Sequence, residues 1–300
     1  MTRVVVMGSA GQLGTEVMKV FSRAGTYTVF PLSHAEVECT DPKSVRLALE
    51  AVQPDVVVNC VGYVRVDDCE ERPEEAFRVN AYGSLYVARA CAGLNAMCVY
   101  ISTDYVFDGD KGEPYTEEDP PSPINVYGAS KLAGEHLVRQ TCARWLIVRL
   151  ASLFGGAGAR SKGGNFVNTL LDKARRGERL NVVGDIRMSP VYAYDAARAL
   201  EQLISQRASG VVHIANRGSC TWYDFACRAL ELAGVSAQIQ RVASSEYPSK
   251  ARRPRDSSLA SVKWRPADDD VLRSWPEALS AYLNHHGSAF LAPSYDGSRS

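Results

Sequence analysis

Five short apolar segments alternate with helical stretches through the first half of the chain, and this alternation limits the possible folds more than any other feature. The segments are Val4 to Met7, Tyr27 to Leu32, Asp55 to Asn59, Met97 to Ser102 and Leu146 to Leu150. Strands that are apolar along their length are typical of a parallel sheet with helices on both faces. Because crossovers between parallel strands are right-handed, the sequence predicts an α/β fold built on a doubly wound parallel sheet.

The chain is predicted to divide into two units of unequal size. Residues 1–150 are expected to form a Rossmann-like dinucleotide-binding domain, joined by residues from about 185 to 210. Residues 151–184 and 211–285 are expected to form a smaller C-terminal substrate-binding lobe, because the alternation of strands and helices loosens after the fifth segment. Residues 286–300 are predicted to be a flexible tail, since chain ends fray unless they are held.

The charge balance and the hydropathy pattern exclude several classes of protein. Lys plus Arg and Asp plus Glu both number 34, so neither a nucleic acid nor a membrane surface is predicted as a partner. No stretch approaches the roughly 18 apolar residues of a membrane-spanning helix, and the first apolar run is too short for a signal peptide. The eight cysteines form no CxxC pair and no zinc-like cluster with histidine. The sequence therefore predicts a cytoplasmic monomer or homodimer with reduced thiols and no metal site.

A glycine-rich turn follows the first apolar segment directly. Gly8, Gly11 and Gly14 have the spacing GxxGxxG between a predicted strand and a predicted helix. Such glycines allow a tight turn, a close approach of backbone to a pyrophosphate, and close packing of helix on strand. The N–H groups and positive dipole of the helix N terminus then favour phosphate. The turn therefore predicts a dinucleotide site, although a strand-to-helix turn that merely tolerates glycine has the same pattern.

The residues after the second apolar segment bear on the choice between NAD and NADP. Enzymes that prefer NAD usually carry an acid there, which binds the ribose hydroxyls. The chain has Ser33 and His34 at this place. Because no acid would repel a 2′-phosphate, and because His34 could approach one, the sequence favours NADPH over NADH.

Tyr127 and Lys131 form a YxxxK pair, a spacing that puts both side chains on one face of a helix. A free tyrosine has a pKa of about 10, and a nearby ammonium lowers it. The pair therefore predicts a tyrosine that exchanges a proton with a substrate at neutral pH. Glu135 follows one turn later, either to hold Lys131 or to form a surface ion pair of little energy. Since isolated YxxxK pairs are common on half-exposed helices, the prediction depends on the neighbouring segments.

Three neighbouring segments favour a catalytic role for this pair. Thr103 ends the fourth apolar segment, and ligands of open parallel sheets bind at the carboxyl ends of strands, where its hydroxyl can donate to a carbonyl oxygen. Small residues around Gly62, after the third segment, would let a nicotinamide ribose lie close. Asn80 is a further polar candidate, although a lone helical asparagine is usually solvated or capping. Together the residues predict a nicotinamide-dependent oxidoreductase.

Five motifs along the chain resemble those of a known enzyme family. In chain order they are GSAGQLG, VNCVGYVRVDDCE, VNAYGS, YISTDYVFDG and NVYGASKLAGE. They resemble the extended short-chain dehydrogenase/reductase (SDR) family, and the likeness continues through CTWYDFA (220–226) and PSKARRP (248–254) to about residue 285. The resemblance implies NAD(P)H-dependent reduction of the 4-keto group of a nucleotide-linked deoxysugar, first of all dTDP-4-dehydrorhamnose to dTDP-L-rhamnose. A nucleotide-diphosphate sugar is then the expected partner.

The resemblance also implies roles for individual residues. Along the cofactor these are Gly11, Gln12 and Leu13 at the pyrophosphate, Glu38 and Cys39 beside the adenine, and Val61, Gly62 and Tyr63 at the nicotinamide. Tyr127 would donate the proton, Lys131 would bind the nicotinamide ribose, and Thr103 would hold the reacting oxygen. The expected substrate contacts are Thr103, Asp104, Asn80, Ser152, Asn165, Arg187, Arg252 and Arg253. Arg252 and Arg253 would lie at the diphosphate, since arginine can donate two hydrogen bonds at once to phosphate oxygens.

The chain departs from the family pattern on the sugar side. Residues 149–152 read RLAS where the family usually has RTSW, residues 185–190 read DIRMSP in place of DQFGxP, and Arg65 replaces a small hydroxyl residue. None of these changes falls on the hydride side. The chemistry is therefore better predicted than the substrate, and another dTDP-, CDP- or GDP-linked 4-keto-deoxysugar stays open.

Three other functions also stay open. The beta subunit of methionine adenosyltransferase resembles this family and acts as a non-catalytic, dinucleotide-binding regulatory subunit. The altered sugar-side residues fit that role, whereas the intact Tyr127, Lys131 and Thr103 count against it. An epimerase or dehydratase ranks lower, because dehydratases often carry an acidic pair after the threonine and here Asp104 is followed by Tyr105. A Rossmann-type methyltransferase would not need the YxxxK pair.

Overall fold

Six parallel strands form the central sheet in the computed structural model, which describes residues 1–156, 165–268 and 270–291. The strands are β1 (Thr2–Met7), β2 (Tyr27–Leu32), β3 (Val56–Asn59), β4 (Met97–Thr103), β5 (Trp145–Leu150) and β10 (Gly210–Ile214). Their order is β2-β1-β3-β4-β5-β10. Parallel neighbours require crossover connections, which helices supply here. The predicted Rossmann-like, doubly wound α/β fold is confirmed.

Helices cover both faces of this sheet. One face carries α1 (Gln12–Arg23) and α8 (Ala193–Ser205), and the other carries α2 (Pro42–Val52), α5 (Ser84–Gly93) and α6 (Val126–Thr141). Two short helices, α3 (Val66–Glu71) and α4 (Pro73–Phe77), precede a wide π-helical turn at Arg78–Gly83. The strands are apolar throughout because helices bury them from both sides.

The strand β10 corrects the predicted boundary of the C-terminal lobe. Residues 211–285 were all expected in the lobe, but β10 pairs with β5 along its length, from Gly210 opposite Leu146 to Ile214 opposite Leu150. The preceding helix α8 packs against α1 on the sheet. It therefore returns the chain to the sheet edge beside β5, and β10 belongs to the large domain.

The C-terminal lobe is built around its own aromatic core. Its elements are β6 (Leu153–Phe154), α7 (Phe166–Arg175), β7 (Leu180–Val183), β8 (Arg187–Met188), β9 (Val191–Tyr192), β11 (Cys220–Thr221), α9 (Trp222–Leu232), β12 (Ile239–Val242) and α10 (Trp275–Leu291). The ring of Phe154 lies 5.4 Å from Phe225, 5.6 Å from Tyr192 and 5.7 Å from Tyr282, measured between centroids. Since α10 continues to residue 291, the tail predicted at 286–300 begins inside a helix; residues 292–300 lie outside the described residues.

Within the described ranges, no helix combines the length and apolar character needed to cross a membrane. In the same ranges, no group of three or more His, Cys, Asp or Glu side chains is arranged to hold a metal ion. The chain's eight cysteines are all free thiols.

Candidate active site

A cleft of about 980 Å³ opens at the carboxyl ends of β1, β3, β4 and β5. Most of the residues predicted to bind cofactor or substrate line it: Gly8, Gly11, Gln12, Leu13, Ser33, His34, Glu38, Cys39, Val61, Gly62, Tyr63, Thr103, Asp104, Tyr127, Ser152 and Asn165. The other predicted residues, Gly14, Asn80, Lys131, Arg187, Arg252 and Arg253, are not among the lining residues. The volume is at the upper end of the range for ligand pockets, about 300–1,000 Å³.

The glycine turn brings two backbones into direct contact at one end of the cleft. Gly8 has a φ of 72°, a conformation that strains other residues. A Cβ on Gly14 would lie 2.3 Å from the carbonyl oxygen of Gly8, so α1 can pack here only without a side chain. Gly11 is the N-cap of α1, and no side chain caps the first turn of this twelve-residue helix. The helix N terminus therefore offers N–H groups to an anion in the cleft.

The end of the cleft beyond β2 carries charges of both signs. The side chain of His34 is 86% exposed, and its Nδ1 lies 4.0 Å from the carboxylate of Glu38. Glu36 was not predicted to lie near the cofactor. Its carboxylate accepts a 2.6 Å hydrogen bond from the Ser33 N–H, and this bond lowers the pKa of Glu36. The prediction that no acid follows β2 is therefore wrong, because Glu36 lies there. Arg78 also lines this end and adds a cation that was not predicted.

Asn80 was predicted to contact the substrate, and the structure corrects this role. The residue is fully buried in the π-helical turn. Its Oδ1 accepts from the Tyr63 N–H at 2.8 Å, and its Nδ2 donates to the Tyr63 carbonyl at 3.1 Å and to Ser130 Oγ at 2.9 Å. Because both ends of the amide are satisfied within the protein, Asn80 fixes the Tyr63 wall of the cleft to α6 and does not reach a ligand.

Tyr127 lies in the first turn of α6, where Asn125 caps the helix by accepting from the Gly128 N–H at 2.8 Å. Its ring makes an edge contact with Tyr105, with centroids 6.0 Å apart. Burial raises the pKa of Tyr127, and hydrogen bonding to the Thr103 hydroxyl opposes this effect. The pKa of Tyr127 was predicted to be lowered, and for the protein by itself this prediction is wrong. A phenol that stays protonated at neutral pH is suited to donate a proton.

Lys131 lies behind the cleft wall and is only 3% exposed. Its Nζ is 4.2 Å from the centroid of the Tyr100 ring. A Cβ on Gly62 would lie 3.8 Å from the same Nζ. Burial lowers the pKa of Lys131 to about 7, so near neutrality it carries only part of a charge that could act on Tyr127. The charge of Glu135 opposes the effect of burial on this amine. The amine lies behind the Gly62 wall, which has no side chain, so the ribose hydroxyls of a dinucleotide could accept a hydrogen bond from it. The buried amine and the uncapped glycine turn therefore fit the predicted cofactor.

Glu135 forms a buried ion pair with Arg149, so the predicted surface ion pair is wrong. Its charge also raises the pKa of Lys131 against the effect of burial, so Glu135 acts on Lys131 without being its main partner. Its carboxylate accepts from Arg149 Nε at 2.9 Å and Nη2 at 2.7 Å, and from the Ser102 hydroxyl at 2.5 Å. Arg149 Nη1 in turn lies 3.4 Å from Nε2 of His213, whose Nδ1 faces two backbone carbonyl oxygens. Nδ1 therefore carries the ring proton, and burial lowers the pKa of His213 to about 4.

Asp104 lies at the cleft floor beside Thr103 and is 3% exposed. Its Oδ1 accepts from the Thr103 hydroxyl at 3.0 Å, and its Oδ2 accepts from the Ser257 hydroxyl at 2.6 Å. Burial raises the pKa of Asp104 to about 6, although both hydroxyls oppose the shift. Ser257 comes from the C-terminal segment, so this contact joins the lobe to the catalytic strand end.

The end of the cleft that is predicted to hold the substrate has an aromatic wall. Phe166 and Trp222 line it, with ring centroids 4.8 Å apart. They supply an apolar surface on the side where Ser152 replaces the tryptophan of the family pattern. Asn165 also lines this end, but its side chain caps α7 by accepting from the Asn168 N–H at 2.9 Å and donates to the Tyr282 hydroxyl at 3.0 Å. A substrate contact by Asn165 stays a prediction.

The three predicted arginines lie on the rim of the lobe, outside the cleft lining. Arg187 pairs with Asp256 at 3.7 Å, and the side chain of Arg252 is exposed. Arg253 pairs with Asp67 at 3.0 Å. Their contacts with a nucleotide diphosphate stay predictions.

Asp67 was not predicted, yet it holds the segment that carries these arginines. Besides Arg253, it accepts hydrogen bonds from the Ser249 hydroxyl at 3.1 Å and from the backbone N–H groups of Lys250 at 3.1 Å and Ala251 at 3.0 Å. These hydrogen bonds keep the pKa of Asp67 low despite its partial burial. One carboxylate at the start of α3 therefore orders residues 249–253. No spacing in the sequence signals a contact across more than 180 residues.

Known proteins share this sequence and architecture over nearly the whole chain. The family model described as RmlD substrate binding domain matches residues 1–288. The spore coat polysaccharide biosynthesis protein SpsK of Bacillus subtilis (strain 168) is 38% identical over 291 residues, covering 96% of this chain and 99% of SpsK. A dTDP-4-dehydrorhamnose reductase structure from Clostridium acetobutylicum ATCC 824 has a TM-score of 0.89 and 33% identity, covering 95% of this chain and 100% of that one. Another from Bacillus anthracis str. Ames, in complex with NADP, has a TM-score of 0.87 and 32% identity with the same coverage. The chain therefore belongs to the RmlD substrate-binding family, within the extended SDR enzymes that its motifs indicated.

Proposed function

We propose that the protein reduces the 4-keto group of a nucleotide-linked deoxysugar with a reduced nicotinamide dinucleotide, and that the sugar is dTDP-4-dehydrorhamnose. One observation carries the proposal: the Tyr127 phenol and the Thr103 hydroxyl line one large cleft together with the glycine turn, and the Lys131 amine lies just behind its Gly62 wall. The relatives from C. acetobutylicum and B. anthracis are named for this reaction. The intact catalytic set argues against a non-catalytic regulatory subunit.

The cleft residues would bind the cofactor along the strand ends. Gly11, Gln12 and Leu13 would hold the pyrophosphate at the N terminus of α1. Lys131 would donate to ribose hydroxyls next to Gly62, where the wall lacks a side chain. When bound, the dinucleotide supplies the hydride. The protein contributes the position of both ligands, since orientation accounts for a large part of the rate of such reactions.

Tyr127 would donate its proton to the oxygen of the carbonyl as it is reduced. Its raised pKa keeps the phenol protonated at neutral pH, and an alkoxide is much more basic than a phenolate, so the transfer is downhill. The Thr103 hydroxyl would donate a hydrogen bond to the same oxygen and share its negative charge. The aromatic wall of Phe166 and Trp222 would cover the apolar side of the deoxysugar or its base.

We expect both nicotinamide dinucleotides to bind, with NADPH preferred over NADH by a small factor. His34 and Arg78 can approach a 2′-phosphate, but the carboxylate of Glu38 lies at the same end of the cleft and that of Glu36 is bound to the Ser33 N–H behind it, so both offset the positive charge. A cytoplasmic location and a monomeric or homodimeric state stay predictions.

Turnover of a panel of dTDP-, UDP-, CDP- and GDP-linked 4-keto sugars with NADPH or NADH tests the proposal. We expect the fastest turnover with the dTDP-linked sugar, and we expect Tyr127→Phe to lower kcat by about a thousandfold, because a positioned proton donor contributes roughly 10²–10⁴. Cofactor affinity, measured by fluorescence titration, should hardly change. Tyr105→Phe removes the hydroxyl of the neighbouring ring and is the matched control that should keep most of the turnover. Full turnover in Tyr127→Phe, or none in the wild type with any sugar, would refute the proposal.

A further inference from the structure

The start of the helix that carries Tyr127 is held by a side chain from another helix. Glu70 of α3 accepts a hydrogen bond from the Val126 N–H at 2.8 Å, although the two residues lie 56 positions apart in the chain. Val126 is the first residue of α6, and Tyr127 is the second. Because the first N–H groups of a helix have no partner within it, an acceptor from outside determines where the first turn lies. Glu70 therefore fixes the residue next to the proposed proton donor.

The loop that leads into α6 is rich in proline. Residues 119–124 read DPPSPI, and the three prolines have no N–H group with which to bind the rest of the protein. The Ser122 N–H between them donates to the Val106 carbonyl at 2.8 Å. The hydrogen bond from Val126 to Glu70 therefore supports the point where this loop becomes a helix.

Other contacts of the first turn act on the carbonyl of Tyr127 or on residues that follow it. Asn125 accepts from the Gly128 N–H at 2.8 Å, and the Ser130 hydroxyl donates to the Tyr127 carbonyl at 2.8 Å. Gly128 also packs against the backbone of Tyr105, where a Cβ would overlap the carbonyl oxygen. The carboxylate from α3 holds the same turn at its first N–H. Its loss would therefore loosen the entry to the helix while the rest of the turn stays in place.

Helix α3 also continues the wall of the cleft. Its first residue, Val66, is one of the lining residues. The Glu70–Val126 bond therefore sets the distance between this wall and the start of α6. The Asn80 bridge ties a neighbouring part of the wall to the same helix. Wall and helix are thus joined at two points, and one of them lies directly before the tyrosine.

We propose that Glu70 is a positioning residue that keeps the Tyr127 phenol in line with the carbonyl oxygen that it protonates. The inference rests on the proposed carbonyl reduction. Glu70 acts through the backbone of Val126 and is not among the residues that line the cleft. Proton transfer needs a donor about 2.6–3.2 Å from its acceptor, and a displacement of about 1 Å can cost a factor of about 100 in rate. A small shift of the first turn is therefore enough to slow the reaction.

Three variants of Glu70 separate the hydrogen bond from the charge and from the volume of the side chain. Glu70→Gln keeps an oxygen that can accept from the Val126 N–H but removes the charge, so it should keep most of the wild-type kcat. Glu70→Ala removes the acceptor, and its kcat should fall about tenfold, less than the limit of about 100 because the other contacts of the turn remain. Glu70→Met removes the acceptor but fills the space, so it should lose as much as Glu70→Ala and replaces that variant if alanine prevents folding. The KM for the cofactor and for the sugar nucleotide should hardly change.

Isotope effects show which of the two transfers has slowed. Deuterated water labels the phenol proton, and a cofactor deuterated at the transferred position labels the hydride. In Glu70→Ala the solvent isotope effect on kcat should rise above the wild-type value, because proton transfer from a displaced phenol then limits the rate. The isotope effect of the deuterated cofactor should not rise. A general loss of structure lowers the amount of active protein and changes neither isotope effect.

Glu277→Ala is the matched control. Glu277 accepts from the Ser274 N–H at 2.9 Å directly before α10 and does not line the cleft. The variant therefore loses the same kind of carboxylate contact at the start of a helix, away from the proposed chemistry. Both alanine variants should lower the midpoint of urea unfolding to a similar extent, but only Glu70→Ala should lower kcat.

Four outcomes overturn the proposal. If Glu70→Ala and Glu70→Met keep the wild-type kcat, the hydrogen bond does not position the tyrosine. If Glu70→Gln loses as much as Glu70→Ala, the charge of the side chain matters and its hydrogen bond does not. If the cofactor isotope effect rises in place of the solvent effect, the variant has disturbed the nicotinamide side, and if neither rises while kcat falls, the role is structural. Failure of the wild-type protein to oxidise cofactor with any keto sugar would instead refute the proposed function, so the two failures can be told apart.

Discussion

The two ends of the cleft are held by different kinds of contact. At the cofactor end, backbone packs on backbone at the glycine turn. Behind the ends of β4 and β5, the side chains of Glu135 and Arg149 pair at only 5% exposure each. At the substrate end, the segment 249–253 depends on Asp67 and Arg253, whose side chains are 39% and 25% exposed. Water and salt weaken exposed ion pairs far more than buried ones. The comparison indicates that the core fixes the catalytic strand ends, whereas the segment 249–253, which is proposed to bind the nucleotide, can change with little cost to the fold.

Breaking the buried pair should have the largest effect on stability. Glu135→Gln leaves the Arg149 guanidinium buried without its counter-charge, and removing one partner of a buried pair costs about 3–5 kcal/mol. Urea unfolding at neutral pH measures this loss in the free energy of unfolding. The double variant Glu135→Leu with Arg149→Met should recover much of the loss, because no charge is then left buried. A loss under about 1 kcal/mol in the single variant, typical of exposed pairs, would erase the contrast between the two ends.

The same core should make stability depend on pH through His213. Its folded pKa of about 4 lies below the unfolded value of about 6.5, so the unfolded chain binds the proton more tightly. The stabilising contribution is complete above pH 6.5 and is lost as pH falls towards 4, on the order of 2–3 kcal/mol. His213→Asn should therefore flatten the fall in unfolding free energy between pH 7 and 4.5. His34→Asn, at an exposed histidine, should keep the wild-type slope; equal slopes in all three proteins would contradict the assignment.

A smaller effect is expected from Asp67→Asn at the substrate end. The change weakens an acceptor for four groups of residues 249–253, and this loss of order should outweigh the release of the Arg253 charge. We expect the KM for the sugar nucleotide to rise about tenfold, or 1.4 kcal/mol, with kcat nearly unchanged. Added salt should reduce the difference from the wild type. The adjacent Asp68→Asn breaks only a surface pair with Arg65 and serves as the control. A fall in kcat with constant KM would show that this segment serves the chemistry instead.

The parts of the protein that sequence predicts are those encoded within one element or across one turn. Apolar strands, the glycine turn and the Tyr127–Lys131 pair depend on neighbours a few residues apart, and the structure has them where they were expected. The position of Thr103 follows from the rule that ligands bind at the carboxyl ends of parallel strands. Each of these features repeats a local pattern with a known physical reason.

The parts that sequence did not predict depend on the path of the chain through space. Helical spacing suggested Lys131 as the partner of Glu135, but β5 brings Arg149 closer and in better geometry for two hydrogen bonds. Asn80 was misassigned because a π-helical turn, which periodicity does not signal, turns its amide towards Tyr63. The bond between Asp104 and Ser257 joins residues 153 positions apart and required the structure.

The fate of a labelled hydride tests the central claim most directly. Wild-type protein is incubated with dTDP-4-dehydrorhamnose and reduced nicotinamide dinucleotide carrying deuterium at the transferred position, and the sugar product is analysed by mass spectrometry and NMR. We predict one deuterium per product molecule, at C4 of the sugar, with one cofactor oxidised for each. Product without deuterium, or a cofactor that is not consumed, would contradict the assignment of this cleft to carbonyl reduction.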